Sequence, residues 1–446
     1  MTLRFGTDGV RGIANRDLTP ELVVAFGRAV ARVLGNDRPF LIGRDTRQSG
    51  TMIEAALTAG LCAQGASVQS AGILPTPGLA FLADVLDSPA AMISASHNPF
   101  PDNGIKLFGA GGRKIADVLE AQVEAELATV LERGVGLSPE GESVGSATRV
   151  AGSVDRYVVH LIQALDGRRL DGLRVVLDCG NGAAYGAAPR AARELGLELT
   201  VINAAPDGVN INHECGSTHP AELQRVVREI GADAGLAFDG DADRVIAVDE
   251  RGELIDGDRM LLIGALDLRA RNKLANNAIA VTVMSNLGLR RALAHHEIEM
   301  FETAVGDRNV LAAMDQHSLT LGGEQSGHVI YSELATTGDG TLTGFLLLDV
   351  MARSGRSLSA LAVEMTSFPQ VLRNVAVADP AAIEGDRAFW DRVRDAEAEL
   401  GDDGRVLVRR SGTEPLVRVM VEASTPEQAE AIADELARLV PGAKVS

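Results

Sequence analysis

Ser96 stands in the run Ile93-Ser94-Ala95-Ser96-His97-Asn98-Pro99, and a later run, Asp239-Gly240-Asp241-Ala242-Asp243-Arg244, presents three carboxylates at alternate positions. Carboxylates at i, i+2 and i+4 on a Gly-containing turn can converge on one hard cation such as Mg²⁺, which takes oxygen ligands and shares its coordination with phosphate. A serine that can carry a phosphoryl group beside such a site points to phosphoryl transfer. A solvated acidic turn would look the same in isolation. A calcium loop fits less well, because Arg244 stands where oxygen ligands are needed and no glutamate closes a twelve-residue loop. A nucleophilic aspartate of a phosphatase is a further rival, but a metal-bound carboxylate is a weak nucleophile and Ser96 offers a separate acceptor. A Ser96-His97 hydrolase dyad is disfavoured because successive side chains of an extended chain point to opposite sides.

Two further strings carry polar chemistry. Arg409-Arg410-Ser411-Gly412-Thr413-Glu414-Pro415, with Arg418 beyond, combines forked donors, hydroxyls and a glycine that admits backbone N–H groups to an anion. Its ordinary alternative is a basic turn between strands. Glu324-Gln325-Ser326-Gly327-His328 offers a carboxylate, an amide, a hydroxyl and an imidazole, suited to sugar hydroxyls, although a plain polar loop would share this composition.

The elements that must position these loops are legible as α/β units. Thr19 can cap a helix that has Pro20 first, carries Leu22, Phe26, Ala29 and Val33 at helical spacing, and ends at Gly35. Strands are expected at 39–42 and 90–93, the second delivering the chain to Ser96. Others at 173–177 and 234–238 run into Asp178-Cys179-Gly180-Asn181-Gly182 and Asp239, where open α/β sheets place ligands. A third unit has strands at 278–283 and 319–321. The Gly- and Ser-rich stretch 134–152 reads as a connection or irregular insertion between the first domain and the next. Beyond Pro369, strands at 371–377, 405–408 and 416–422 and a helix at 426–439 suggest a small α+β domain.

The 446 residues carry 42 Lys+Arg against 61 Asp+Glu, a net charge of -19, which disfavours nucleic acid and anionic membranes as partners. An anionic substrate must then be held by local basic clusters. Cys62, Cys179 and Cys215 form no CxxC pair, and no segment is apolar enough for a signal or span, so a cytoplasmic protein is expected.

Taken in order, Phe5-Gly6-Thr7-Asp8-Gly9-Val10-Arg11-Gly12, the Ser96 loop, the Asp239 to Arg244 loop, the 323–328 loop and the 409–415 loop resemble the α-D-phosphohexomutase superfamily over nearly the whole chain, most closely its bacterial phosphoglucosamine mutases. The resemblance implies three consecutive α/β domains with mixed sheets (1–153, 154–253 and 254–368), a smaller C-terminal α+β domain (369–446), and an active site in the central cleft. It implies that Ser96 is phosphorylated and, with Asp239, Asp241 and Asp243, binds Mg²⁺. Arg11 and Lys106 then lie near the transferring phosphoryl group, Lys106 serving in proton transfer and His328 in the reverse sense. Glu324 and Ser326 contact sugar hydroxyls, Arg244 lies at the sugar end of the metal loop, and Arg409, Ser411, Gly412 and Thr413 clamp the non-reacting phosphate.

The implied reaction interconverts glucosamine 6-phosphate and glucosamine 1-phosphate through a glucosamine 1,6-bisphosphate, with that compound or glucose 1,6-bisphosphate as activator, and feeds UDP-N-acetylglucosamine synthesis. A mobile C-terminal domain would clamp the intermediate in both orientations. The resemblance also implies a homodimer, with Ser96 first phosphorylated by a kinase or by the enzyme itself. The serine, metal and clamp strings are shared by phosphomannomutases and phosphoglucomutases. The glucosamine preference rests on Phe5 to Gly12, Gln325, and Asn210-Ile211-Asn212 followed by Cys215 to His219. A sugar phosphatase lacks need of a distal clamp, and a silent sugar-phosphate binder lacks need of Ser96 with all three aspartates.

Overall fold

In the computed structural model, which describes residues 3–6, 8–134, 136, 138–411 and 415–443, Thr19 Oγ1 accepts from Leu22 N at 3.4 Å. Pro20 opens the helix Pro20–Leu34, and Gly35 closes it at φ +88°, as the capping residues predict. The first sheet is built from β1 (Val10–Ile13), β2 (Phe40–Arg44), β3 (Val68–Ile73), β4 (Ala90–Ile93), β5 (Asp102–Phe108) and β6 (Ala147–Arg149), in the order β1-β5-β4-β2-β3-β6. It is mixed, with β2 parallel to β3 and β4, and β5 antiparallel to β1 and β4.

The stretch 134–152, expected as a connection or irregular insertion, also contributes a strand to the first sheet. Its β6 pairs in parallel with β3, Val68 opposite Ala147. All three β6 residues are exposed, so the apolar alternation that marks a strand is missing. Gly145 is needed at its entry, because a Cβ there would lie 2.1 Å from the Ala66 carbonyl oxygen.

The second sheet contains β7 (Arg174–Asp178), β8 (Glu198–Ile202), β9 (Ala234–Phe238), β10 (Val245–Asp249) and β11 (Leu254–Ile255), ordered β11-β10-β9-β7-β8. Here β7, β8 and β9 are parallel and β10 turns back antiparallel on β9. The third contains β12 (Ala278–Thr282), β13 (Glu299–Thr303), β14 (Leu321–Gly323) and β15 (Val329–Tyr331), ordered β13-β12-β14-β15. The strand expected at 319–321 starts at Leu321 and forms, with β15, a tight antiparallel hairpin around Glu324 to His328.

Contacts divide the chain into two units: 1–283 with 300–363, and 284–299 with 364–446. In the first, alternate strand residues serve opposite faces. Ile42 packs with Phe26, Ile53 and Leu57 under the helices of the first sheet, whereas Leu41 joins a core that continues through Met92, Tyr157, Leu177, Phe238 and Phe345. One apolar mass therefore backs the first two sheets and the helix Gly340–Ser354.

In the second unit, β16 (Gln370–Ala376), β17 (Arg405–Arg410) and β18 (Leu416–Glu422) form an antiparallel sheet ordered β16-β18-β17. The helices Arg387–Leu400 and Pro426–Leu439 pack on it through Phe389, Val393, Ile432 and Leu436. The helix Leu287–His295 belongs to this unit. Asn286 exchanges side-chain bonds of 3.0 and 2.9 Å with the Phe368 backbone, and Leu287 N donates to Glu422 Oε2 at 3.1 Å. Among the described residues no helix is long and apolar enough to cross a membrane, and the three cysteines are free thiols.

Asp339 is a buried carboxylate at the foot of Gly340–Ser354. Tyr157 Oη donates to its two oxygens at 2.9 and 3.0 Å, and Leu342 N donates to Oδ1 at 2.9 Å. Burial outweighs these donors and pushes its pKa up to about 7. Between pH ~4 and ~7 the unfolded chain releases this proton while the folded protein keeps it, so stability falls as pH rises, by about 1.4 kcal/mol per pH unit. Asp339→Asn is expected to remove that slope in urea titrations across the window. An unchanged slope would contradict the assignment.

Candidate active site

Strand β4 ends at Ile93, and the chain turns sharply three residues later: Ser96 has φ +53° and is 1 % exposed. The turn changes the expectation for His97. Because Ser96 is left-handed rather than extended, His97 Nδ1 lies 3.5 Å from Ser96 Oγ instead of on the opposite side. It still makes a poor base. Burial, then Arg244 and Arg11, hold its pKa down at about 4, and Arg244 Nη1 lies 3.5 Å from the same Nδ1. Ser96 Oγ donates instead to Asp239 Oδ2, at 2.5 Å.

Asp239, Asp241 and Asp243 lie in the turn between β9 and β10, their oxygens within 4.8 Å of one another. The turn needs Ala242 at φ +57°, a left-handed setting in which a methyl group costs on the order of 1–2 kcal/mol relative to the ordinary region. Gly240 is required by crowding, since a Cβ would lie 2.5 Å from the Ser96 carbonyl oxygen. The outer oxygens are spoken for: Asp241 Oδ2 accepts from Thr76 Oγ1 at 2.6 Å and Lys106 Nζ at 2.8 Å, while Arg244 N donates to Asp239 Oδ1 at 3.3 Å. Asp241 Oδ1 and Asp243 Oδ1 are buried without any donor. Burial, with Asp243 and Asp241 beside it, pushes Asp239 well above the usual carboxylate range. Burial would also raise Asp243, but Lys106, His328 and Arg244 overcome it and hold that group at about 2. A crowded all-oxygen cluster with two orphaned acceptors fits a hard cation.

Lys106, on β5, is 1 % exposed and places Nζ 2.8 Å from Asp241, 2.9 Å from Asp8 and 3.5 Å from Asp243. Burial opposes its charge, but Asp241, Asp8 and Asp243 raise its pKa well above the ordinary lysine value. Arg11, on β1, and Lys114 also pair with Asp8, and Lys114 Nζ reaches Asp307 Oδ2 at 2.6 Å. His328 closes this side. Its Nε2 accepts from Gly338 N at 3.1 Å, so the neutral ring carries its proton on Nδ1, 3.7 Å from Asp243 Oδ2. Gly338 has to be glycine, because a Cβ would lie 2.5 Å from the imidazole.

The hairpin loop between β14 and β15 is pressed onto the strand after the metal loop, with Val245 N donating to Gly327 O at 3.1 Å. Glu324 is buried, its Oε1 accepting from Gly306 N at 3.1 Å, whereas Ser326 is exposed, 3.5 Å from Glu324 Oε2. Arg244 Nε lies 4.0 Å from Asp243.

Ser96, Arg11, Lys106, Asp239, Asp241, Asp243, Arg244, Glu324, Ser326 and His328 thus all belong to the first unit. Arg409 and Ser411 belong to the second, and Gly412 and Thr413 lie outside the described residues. Within the second unit Arg409 sits directly opposite Arg418 across β17 and β18. Like charges facing each other are unfavourable without an anion. Arg409 Nε is buried without an acceptor, and burial with Arg418 lowers the pKa of Arg409.

Sequence reasoning gave no role to Asp8, Lys114, Asp307, Thr76 or Arg47. Asp8 lies inside a quoted string, but its function as the common partner of three cations depends on β1, β5 and the Gly111 to Lys114 turn meeting. Asn212, read as support for a sugar preference, instead donates to the carbonyl oxygens of Ser96 and Asn98 at 2.9 and 3.2 Å.

Comparison with known proteins agrees with this arrangement. Residues 2–133, 155–252 and 256–368 match alpha/beta/alpha domains I, II and III of the phosphoglucomutase/phosphomannomutase family, and 372–439 match its C-terminal domain. A phosphoglucosamine mutase of Saccharopolyspora erythraea is 51% identical over 446 residues, covering 99% of each chain, and one of Rhodococcus jostii is 51% identical over 442 residues, covering 98% of each. Among solved structures, a phosphoglucomutase/phosphomannomutase family protein of Burkholderia thailandensis superposes with TM-score 0.82 at 27% identity, covering 100% of this chain and 99% of its own. The Aspergillus fumigatus N-acetylphosphoglucosamine mutase, solved with GlcNAc-6P and magnesium, shares the fold at TM-score 0.72 and 18% identity, covering 100% of this chain and 96% of its own. A serine bonded to a three-aspartate turn, matches to all four family domains and half-identity across the full length leave one placement: the chain belongs to the phosphoglucosamine mutases of the α-D-phosphohexomutase superfamily.

Proposed function

We propose that the protein interconverts glucosamine 6-phosphate and glucosamine 1-phosphate by way of phosphoserine 96 and a glucosamine 1,6-bisphosphate, in the cytoplasm and upstream of UDP-N-acetylglucosamine. The bond of 2.5 Å from Ser96 Oγ to the aspartate cluster carries this reading. It supports the reading because the Ser96 hydroxyl, at the end of a strand, lies against the cluster of three carboxylates found among the described residues.

Charge balance supports a divalent cation. Asp8, Asp239, Asp241, Asp243 and Asp307 face Arg11, Lys106, Lys114 and Arg244, and a phosphoryl group on Ser96 adds about two negative charges. Asp239, Asp241 and Asp243 would hold Mg²⁺, which when bound supplies neutralisation of phosphoryl oxygens. In the forward step the sugar 1-hydroxyl attacks phosphorus. The bond from phosphorus to Ser96 Oγ breaks as the bond to the sugar oxygen forms. Lys106 gives a proton to Ser96 Oγ and takes up the one the sugar hydroxyl loses, so Ser96 regains its bond to Asp239. After the bisphosphate turns over, its 6-phosphate returns to Ser96 and glucosamine 1-phosphate leaves. Lys106, kept charged by its three carboxylates, serves as a proton donor and, with Arg11, neutralises the moving group. His328 offers its Nδ1 proton to the same space. Arg244, Glu324 and Ser326 hold the sugar, and Arg409 and Ser411, with Gly412 and Thr413, hold the phosphate that does not react.

The test is turnover with Mg²⁺ and a trace of sugar 1,6-bisphosphate on glucosamine, glucose and mannose 6-phosphates, following phosphate position and free phosphate. Preference for glucosamine 6-phosphate without free phosphate is expected; preference for another hexose would overturn the substrate, and free phosphate alone the mutase reading. Arg409→Ala is expected to raise KM by about 10- to 100-fold while kcat falls far less, since a charged hydrogen bond to phosphate contributes about 1.5–3 kcal/mol. A fall confined to kcat would speak against a binding role.

A further inference from the structure

Arg47 is the largest fully buried side chain among the described residues, and it bonds the backbone of the Ser96 loop. Every guanidinium donor is used. Nε pairs with Asp45 Oδ2 at 2.8 Å, Nη1 donates to the Pro99 and Asp102 carbonyls at 2.5 and 2.9 Å, and Nη2 donates to those of Ser96 and Asn98 at 2.8 Å each. Asp45 Oδ2 also accepts from Ser94 Oγ at 2.6 Å, and Ser94 Oγ accepts from Ser96 N at 2.9 Å. The turn is therefore gripped at both the N–H and the carbonyl of Ser96.

A second grip comes from another sheet's loops. Asn212 Nδ2 donates to the same two carbonyls, Ser96 and Asn98, at 2.9 and 3.2 Å. Asn212 is itself left-handed at φ +56°, with its backbone N bonded to Gly180 O at 2.9 Å. The residue is 7% exposed. Two side chains of different domains thus spend their donors on one pair of carbonyls, where either alone would satisfy them.

We propose that Arg47 and Asn212 are positioning residues for phosphoryl transfer, clamping the left-handed Ser96 turn so that Oγ stays aimed at the aspartate cluster. The proposal rests on the phosphoserine reading of Ser96. A hydrogen bond from Ser96 to Asp239 holds the free hydroxyl, but phosphorylation removes that donor. The backbone grips are then what keep the ester oxygen in place, and a shift of about 1 Å in a reacting atom can cost 10²-fold in rate.

The test uses Asn212→Gly, which deletes the side chain and keeps a backbone that favours positive φ, together with Arg47→Lys. Ser96 phosphorylation in the active wild type is first established by phosphopeptide mapping; its absence would remove the phosphoserine reading itself. With phosphoenzyme confirmed, Asn212→Gly is expected to lower kcat by about 10- to 100-fold with KM nearly unchanged. The phosphoenzyme should lose phosphate to water faster relative to sugar transfer, and its ³¹P resonance should broaden. A phosphorylated, folded Asn212→Gly with wild-type kcat and wild-type hydrolysis would overturn the proposal. Arg47→Lys keeps a charge beside Asp45 but lacks the fork, and is expected to show the same split more strongly; a loss of melting temperature with normal kcat in that variant would likewise assign a merely structural role.

Discussion

Ser96→Ala is expected to abolish mutase turnover, by on the order of 10⁴-fold or more, because it removes the atom that carries the phosphoryl group between substrates. The fold should survive. Ser96 Oγ makes one donated bond, to Asp239, and the backbone N–H and carbonyl are held independently by Ser94, Arg47 and Asn212. Substrate affinity measured calorimetrically should change little, since Arg244, Glu324 and the 409–411 segment are untouched. A variant prepared free of host mutase that kept wild-type turnover would rule out the phosphoserine route. Binding lost together with turnover would instead mean that Ser96 mainly shapes the pocket.

Removal of divalent cation by a chelator is expected to silence the wild type, with activity returning on addition of Mg²⁺; the loss should reach roughly 10³-fold, in the range found when charge stabilisation at a reacting oxyanion is deleted. Asp239→Asn should not be rescued. It should nevertheless melt about 1 °C higher than wild type in metal-free buffer, corresponding to about 1 kcal/mol. The reason is the crowding of three buried carboxylates: burial, Asp243 and Asp241 raise the pKa of Asp239, and an amide there removes a charge that the metal-free fold must bury while still accepting from Ser96 Oγ. A variant both inactive and less stable in the absence of metal would mean that the carboxylate has a structural partner instead of an ionic one.

What the chain settled before folding is chemistry carried by neighbours in sequence. Asp239, Asp241 and Asp243 belong to one turn, so their convergence needs only local geometry, and the caps at Thr19 and Gly35 act within a few residues of themselves. Strand ends at Ile93 and Phe238 were legible because buried strands are short apolar runs bounded by polar turns. The exposed edge strand Ala147–Arg149 was not, since pairing on one side needs no apolar pattern. His97 was misplaced because Ser96 is left-handed, in a turn whose carbonyls are bonded by residues distant in sequence, Arg47 and Asn212. The same holds for Lys106, whose role comes from the antiparallel return of β5 that sets its ammonium against Asp241 and Asp8, and for Gly338, which is remote from His328 in function until its N–H selects the imidazole tautomer. Residue types and local spacing decided which reaction this protein could run. Long-range packing decided which donors hold Ser96, which nitrogen of His328 faces the cluster and which carboxylates share a cation, because hydrogen bonds and charge pairing depend on distances that only the folded chain defines.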